Sequence, residues 1–300
     1  MPETISRCPS ARPTAFPEIN SVLATLVARI SKRLEDNFAG AYLQGSLAVG
    51  DFNSSSDIDI IVMIKRDLRQ SEIASYQDLH RALFAELPAP WGQRIELSYA
   101  PADILRRWSL TPRDPPDFPR SADWRDPSTA SPPRTYPLWY LDNGAQELVR
   151  SEHDNTRVVR WVIREKGITL AGPAPSALIE PVSSQDLALE LYDMLRLIND
   201  EWSTAEAIGQ GWTQAFFVTL CCRALHTLET GEITSKRAAT EWASTHLEDN
   251  WRGLIETAWS QSRDARATLG GPANPLAVQQ TIELMQHTFE VARRTTHHRA

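Results

Sequence analysis

The chain has 300 residues, 23% charged and 42% hydrophobic, with a formal net charge of −7. That length supports a substantial core and two domains of ordinary size, and no apolar run reaches the roughly 18 residues of a membrane span. The acidic balance argues against non-specific nucleic-acid binding, which needs a basic footprint, and suits a cationic small-molecule partner. Cys8, Cys221 and Cys222 offer neither C-x-x-C spacing nor an even disulfide framework, so reduced, buried thiols are expected. The N-terminal "MPETISRCPSARPTAFPEIN" lacks the apolar stretch of a secretory signal, and a cytoplasmic location is the expectation.

Residues 1–17 read as a tail. Across 18–38, Val22, Leu23, Leu26, Val27, Ile30 and Leu34 recur at helical spacing. "GAYLQG" follows as a short strand, "SLAVG" as the first turns of a helix from Ser46, and "DIDIIVMIK" as a second strand. "SEIASYQDLHRALFAEL" is a helix with Ser71 placed as N-cap, and "QRIELSYAP" a third strand. This alternation predicts a small mixed sheet with helices against it over 18–140. Prolines 112, 115, 116, 119, 127, 132, 133 and 137 mark residues 109–138 as an irregular connection. Residues 141–295 carry one helical stripe after another, with Ser183 or Ser184 and Ser235 where N-caps belong and Gly231 and Gly270 near helix ends. The predicted class is therefore α+β, an α/β domain followed by an all-α helical bundle. The stripe Phe216, Phe217 and Leu220 reads as bundle core.

The chemistry concentrates in "LQGSLAVGDFNSSSDIDIIVM", residues 43–63. Residues two apart on a strand share a face, so Asp57 and Asp59 project together while Ile58, Ile60 and Val62 face a core. Two adjacent carboxylates repel unless a cation lies between them, and Mg²⁺ suits a few carboxylates completed by phosphate oxygens. Glu96, alternating with Ile95 and Leu97 on the third strand, can face the same cleft, giving the three-carboxylate set of a two-metal phosphoryl-transfer site. Gly45 and Ser46 supply a tight turn whose N–H groups and hydroxyl can meet phosphate. A P-loop is excluded: Gly45 and Gly50 have its glycine spacing, but Asp51 stands where lysine is required. Alone, Gly45-Ser46 is a common turn, Asp57 and Asp59 an edge-strand pair or an N-cap, and Glu96 a solvated residue; the spacing G-S-x10-D-x-D makes them one signal.

That spacing, in "YLQGSLAVGDFNSSSDIDIIV", resembles the signature of the polymerase-β-like nucleotidyltransferase superfamily. "GITLAGPAPSALIEPVSSQDL" and "CRALHTLETGEITSKRAATEWA" are similar to the helical domain of streptomycin/spectinomycin adenylyltransferases. The resemblance implies that Asp57 and Asp59, with Glu96, hold Mg²⁺ (two ions), that Glu96 is the catalytic base, and that Ser46 meets the triphosphate of ATP. It places Lys236 at a nucleotide-contacting lysine, where the bare sequence reads an exposed residue in a helix's first turn. It places Trp139 against the acceptor. The implied reaction is AMP transfer from Mg-ATP to a hydroxyl of an aminoglycoside or aminocyclitol, a resistance activity, by a monomer with no nucleic-acid or membrane partner.

One departure concerns the acceptor. Trp212 and Thr213 stand where the drug-modifying relatives carry acid, with Asp200, Glu201 and Glu206 nearby in sequence. Another small molecule, a protein hydroxyl, or nucleotide sensing without turnover are the alternatives. Glu152, His153 and Asp154 form a further polar cluster, with Asp154 or Asn155 as a helix N-cap or the group lining the acceptor's cleft.

Overall fold

The structure, a computed structural model, describes residues 13–53, 56–109, 135–263 and 271–297. Most of the proline-rich connection and Gly270 lie outside them. Met1–Phe52 with Ser56–Pro181 group as one compact unit, and Asn53–Ser55 with Val182–Ala300 as a second.

The first unit runs α1 (Pro17–Leu34), β1 (Phe38–Leu43), α2 (Gly45–Ala48), β2 (Ile58–Ile64), α3 (Gln70–Glu86), β3 (Ile95–Pro101), α4 (Ala102–Arg106), β4 (Leu138–Leu141), β5 (Val149–Ser151), α5 (Arg157–Lys166), β6 (Ile168–Ala171) and α6 (Pro175–Leu178). Its sheet has the order β5-β4-β3-β2-β1-β6. Only β2 and β3 pair in parallel, joined through α3 as a crossover helix; every other neighbouring pair is antiparallel.

Strand alternation splits the side chains between two layers. Leu43, Ile58, Ile60, Val62, Leu97 and Tyr99 pack with Ile19, Leu23, Leu26 and Ile30 of α1 and Ile73 and Leu83 of α3. On the opposite face Tyr42, Ile61, Met63, Ala100 and Leu138 pack with Ile163 of α5 and Leu105 of α4. α1 is helical for the reason its spacing predicts, and Pro17 at its start and Lys32 and Arg33 in its last turn suit its ends. α3 begins two residues earlier than expected: its N-cap is Arg69, whose N–H donates to the Glu72 carboxylate at 2.8 Å, and not Ser71.

The expected boundary at 141 is corrected. β5 pairs with β4, and β6 with β1 through Tyr42↔Thr169 and Leu43↔Ile168, so residues 141–181 complete the sheet unit. The helical stripe in "VVRWVIREKG" is real, but Val159 and Ile163 face the sheet.

The second unit contains α7 (Ser184–Trp202), α8 (Ala205–Ile208), α9 (Gly211–Thr230), α10 (Lys236–His246), α11 (Arg252–Arg263) and α12 (Pro275–His297). α9 packs against α7, α10, α11 and α12, burying Phe217, Val218, Cys221, Cys222 and Leu225. Ser183 and Ser235 cap α7 and α10 through their side chains, and Gly231 closes α9 with a φ of +73°. Phe216 departs from the expected core stripe and is 48% exposed. Among the described residues no helix is long and apolar enough to cross a membrane.

Candidate active site

In the parallel register of β2 and β3, Asp59 lies directly opposite Glu96. Each is the second residue of its strand, so both carboxylates leave the same face while Ile58, Ile60 and Leu97 enter the α1–α3 core. Asp57, half-buried just ahead of β2, is close enough for its charge to act on Asp59.

β1 delivers the turn. Gly45 has a φ of +58°, and a Cβ there would collide with Oδ2 of Asp59. Only glycine lets the backbone come this close to the β2 carboxylate. The Gln44 N–H donates to the Asp59 carbonyl at 3.0 Å, tying the turn to β2. The hydroxyl of Ser46 is buried and has no hydrogen-bond partner among the described residues, a state that costs about 1–3 kcal/mol in a protein interior. α2 is a single turn, so its macrodipole is small. The turn offers a ligand the Ser46 hydroxyl and first-turn N–H groups that have no partner within the helix.

The electrostatics is that of an acid-rich site short of positive charge. Burial, then Glu96, Asp154 and Asp57, push the Asp59 carboxyl up to about 7, opposed by His153. Asp154 is 3% exposed and is raised mainly by burial. It accepts from Gln44 Nε2 at 2.9 Å and Ser98 Oγ at 2.7 Å. Burial acts to raise Glu96 as well, but hydrogen bonds from His153 and Tyr140 and the His153 charge outweigh it and hold Glu96 below its ordinary value. His153 Nε2 stands 3.1 Å from Glu96 Oε1, its ring packs on Tyr140 with centroids 5.1 Å apart, and the bond to Glu96 raises it to about 9. Glu96 is thus an ionised, oriented carboxylate.

A hard divalent cation fits this donor set. Burial and the like charges of Glu96, Asp154 and Asp57 raise Asp59, which a cation between Asp57 and Asp59 would relieve. Among the described residues no three His, Cys, Asp or Glu side chains are gathered as a metal-binding group. Glu96, the third carboxylate of the expected trio, carries partners of its own in His153 and Tyr140. Mg²⁺ here would draw on the two aspartates and on phosphate oxygens and water.

A family profile described as "Nucleotidyltransferase domain" matches residues 27–98, which span this turn and both strands. The chain is a nucleotidyltransferase. A second profile, "Aminoglycoside adenylyltransferase, C-terminal domain", matches residues 177–286. The chain is 27% identical over 251 residues to an aminoglycoside (3'') (9) adenylyltransferase of Shigella flexneri, covering 81% of this chain and 85% of that protein. It is 24% identical over 250 residues to a spectinomycin 9-adenylyltransferase of Staphylococcus aureus, at 80% and 85% coverage. Its fold matches the spectinomycin adenyltransferase AAD(9) of Enterococcus faecialis, solved with ATP and spectinomycin, with a TM-score of 0.59 at 15% identity over 89% of this chain and 98% of the other.

Trp139 does not join the nucleotidyltransferase site. It is 5% exposed and pairs with Tyr99 in the β3–β4 register, on the face opposite Glu96 and Ser98. Its Nε1 donates to the Leu68 carbonyl at 3.0 Å, and the Arg150 guanidinium lies 4.1 Å from its ring centroid. The reason is strand alternation: its neighbour Tyr140 takes the site face. Lys236 is the exposed first residue of α10, in the helical unit. Thr156, and not Asp154 or Asn155, caps α5, which frees Asp154 for its contacts with Gln44 and Ser98.

Proposed function

We propose that the chain transfers AMP from ATP to a hydroxyl of an aminoglycoside or aminocyclitol such as streptomycin or spectinomycin, releasing pyrophosphate. One observation carries the reading: a buried Ser46 hydroxyl without a partner, on a glycine turn pressed against Asp59, which lies in register with an ionised Glu96. The relatives named for adenylyl transfer to these drugs support the donor and acceptor classes.

The Ser46 hydroxyl and the backbone of its turn receive phosphate oxygens of ATP. Glu96 accepts the proton of the acceptor hydroxyl at a carboxylate oxygen, and the freed oxygen attacks the α-phosphorus in line as its bond to pyrophosphate breaks. His153 and Tyr140 keep Glu96 ionised and aimed. Asp57 and Asp59 would hold Mg²⁺, which when bound offsets the negative charge gathering on the phosphates. Lys236 serves as a nucleotide contact, and the enzyme works where ATP is abundant, in the cytoplasm.

Mass spectrometry after incubation with Mg-ATP and a panel of aminoglycosides and aminocyclitols tests this. A gain of one AMP on streptomycin or spectinomycin is the expected result. AMP on a protein, or ATP bound without consumption, would replace it with a protein-modifying or a sensing function.

A further inference from the structure

Asp154 has no role in the reaction as described, yet it is one of the most deeply buried charged side chains among the described residues. A carboxylate 3% exposed is costly unless well bonded, and its charge adds to the repulsion on Asp59. It comes from the segment ahead of α5, where Thr156 already caps the helix. Nothing local requires an acid there.

Its partners supply the reason. One oxygen accepts from Gln44, the residue immediately before Gly45-Ser46, and the other from Ser98, two residues beyond Glu96 on the same face of β3. Gln44 is itself held from the other side by its N–H bond to the Asp59 carbonyl. The segment bearing Asp154 is rigid as well. Asn155 donates to the Tyr136 carbonyl at 2.7 Å and accepts from Arg160 at 2.6 Å. Arg160, 1% exposed, further donates to the carbonyls of Ile104, Leu105 and Thr156.

We infer that Asp154 is a positioning residue for the nucleotide: it fixes the Gln44–Ser46 turn against β3 and so sets where the ATP phosphates stand relative to Glu96. This rests on the adenylyltransferase reading. It assigns Asp154 no contact with substrate, and makes Gln44 the arm through which it acts.

The test is titration calorimetry of the full chain with Mg-ATP, together with steady-state kinetics. Losing a hydrogen bond to a charged acceptor corresponds to roughly a tenfold change, so Asp154→Ala should raise the ATP Kd and KM by about that factor with the acceptor KM unchanged. Asp154→Asn keeps an oxygen for Gln44 and should restore most of the affinity. Gln44→Met should reproduce the loss even where Asp154→Ala does not fold, and combining the two should be no worse than either alone. Wild-type ATP affinity in Gln44→Met and Asp154→Ala, with only the melting temperature lowered, would overturn the inference by making Asp154 structural. Asp154→Asn as impaired as Asp154→Ala would overturn it too, because charge and not placement would then matter. A wild-type chain that binds Mg-ATP but adenylylates no acceptor defeats the functional reading alone, and the affinity comparison still decides the role of Asp154. A wild-type chain that binds no Mg-ATP defeats both.

Discussion

In the sheet unit the buried polar side chains include Gln44, His80, Asp154, Arg157 and Arg160; in the helical unit they are Thr213, Gln214, Thr219, Thr227, Ser235, Thr240, Thr281, Thr288 and Thr296, with no buried charge among the described residues. Most of these threonines satisfy themselves locally. Thr219, Thr240, Thr281, Thr288 and Thr296 each donate to the carbonyl four residues back, at 2.7–3.1 Å. The polar groups of the sheet unit are satisfied across long sequence separations, 110 residues for Gln44–Asp154 and 56 for Ser98–Asp154. Self-satisfied threonine keeps a helical bundle close to apolar, whereas long-range bonds hold unlike segments in one geometry. The catalytic arrangement is of the second kind.

The contrast is broken most sharply at Asp59. Asp59→Asn should lower AMP transfer by roughly 10³-fold, the size of several kcal/mol of lost charge stabilisation, while the melting temperature of the metal-free chain holds or rises, since a like charge is gone. A falling melting temperature with activity retained would make Asp59 structural.

His80 offers the next largest effect. It is 3% exposed, bonds Tyr99 through Nε2 at 2.9 Å, and burial lowers it to about 4. Between its ordinary value near 6.5 and 4 the unfolded chain binds the proton and the folded chain does not, so stability is complete above 6.5 and is lost as pH falls. The stability advantage of wild type over His80→Gln should shrink by roughly 3 kcal/mol from pH 7 to 4, as read by denaturant melts. A constant difference would show that His80 does not carry the acid sensitivity.

The smallest test uses one substitution in each unit. Gly45→Ala places a methyl against Asp59 at a φ of +58° and should cost at least about 1–2 kcal/mol together with ATP affinity. Gly253→Ala, in exposed helix with nothing within 4 Å, should stabilise by up to about 1 kcal/mol. Thermal melts giving both the same sign would remove the distinction.

How much of this the sequence shows follows the same divide. Asp57, Asp59 and Glu96 were legible because period-two alternation puts acids on one face of strands whose other face is plainly apolar. The helical unit was legible because its helices carry their own apolar stripes, and α7 and α10 their own N-caps. His153 and Asp154 stand out in the sequence only as part of a polar cluster, and Gln44 and Ser98 not at all, since each gains its partner from far along the chain. β4, β5 and β6 escaped because each is only three or four residues long, too short for a pattern. Trp139 was placed against the acceptor by resemblance alone; strand alternation sends its ring to the opposite face of the sheet from Tyr140.

The proposed transfer depends most on Glu96 being the ionised base that takes the acceptor's proton. Pyrophosphate release at saturating Mg-ATP and acceptor, measured for wild type and Glu96→Gln beside their ATP dissociation constants, tests this directly. The prediction is a fall in kcat of roughly 10²–10⁴-fold with ATP affinity kept. A Glu96→Gln enzyme that turns over at the wild-type rate would contradict it, and so would one whose entire defect lies in ATP binding.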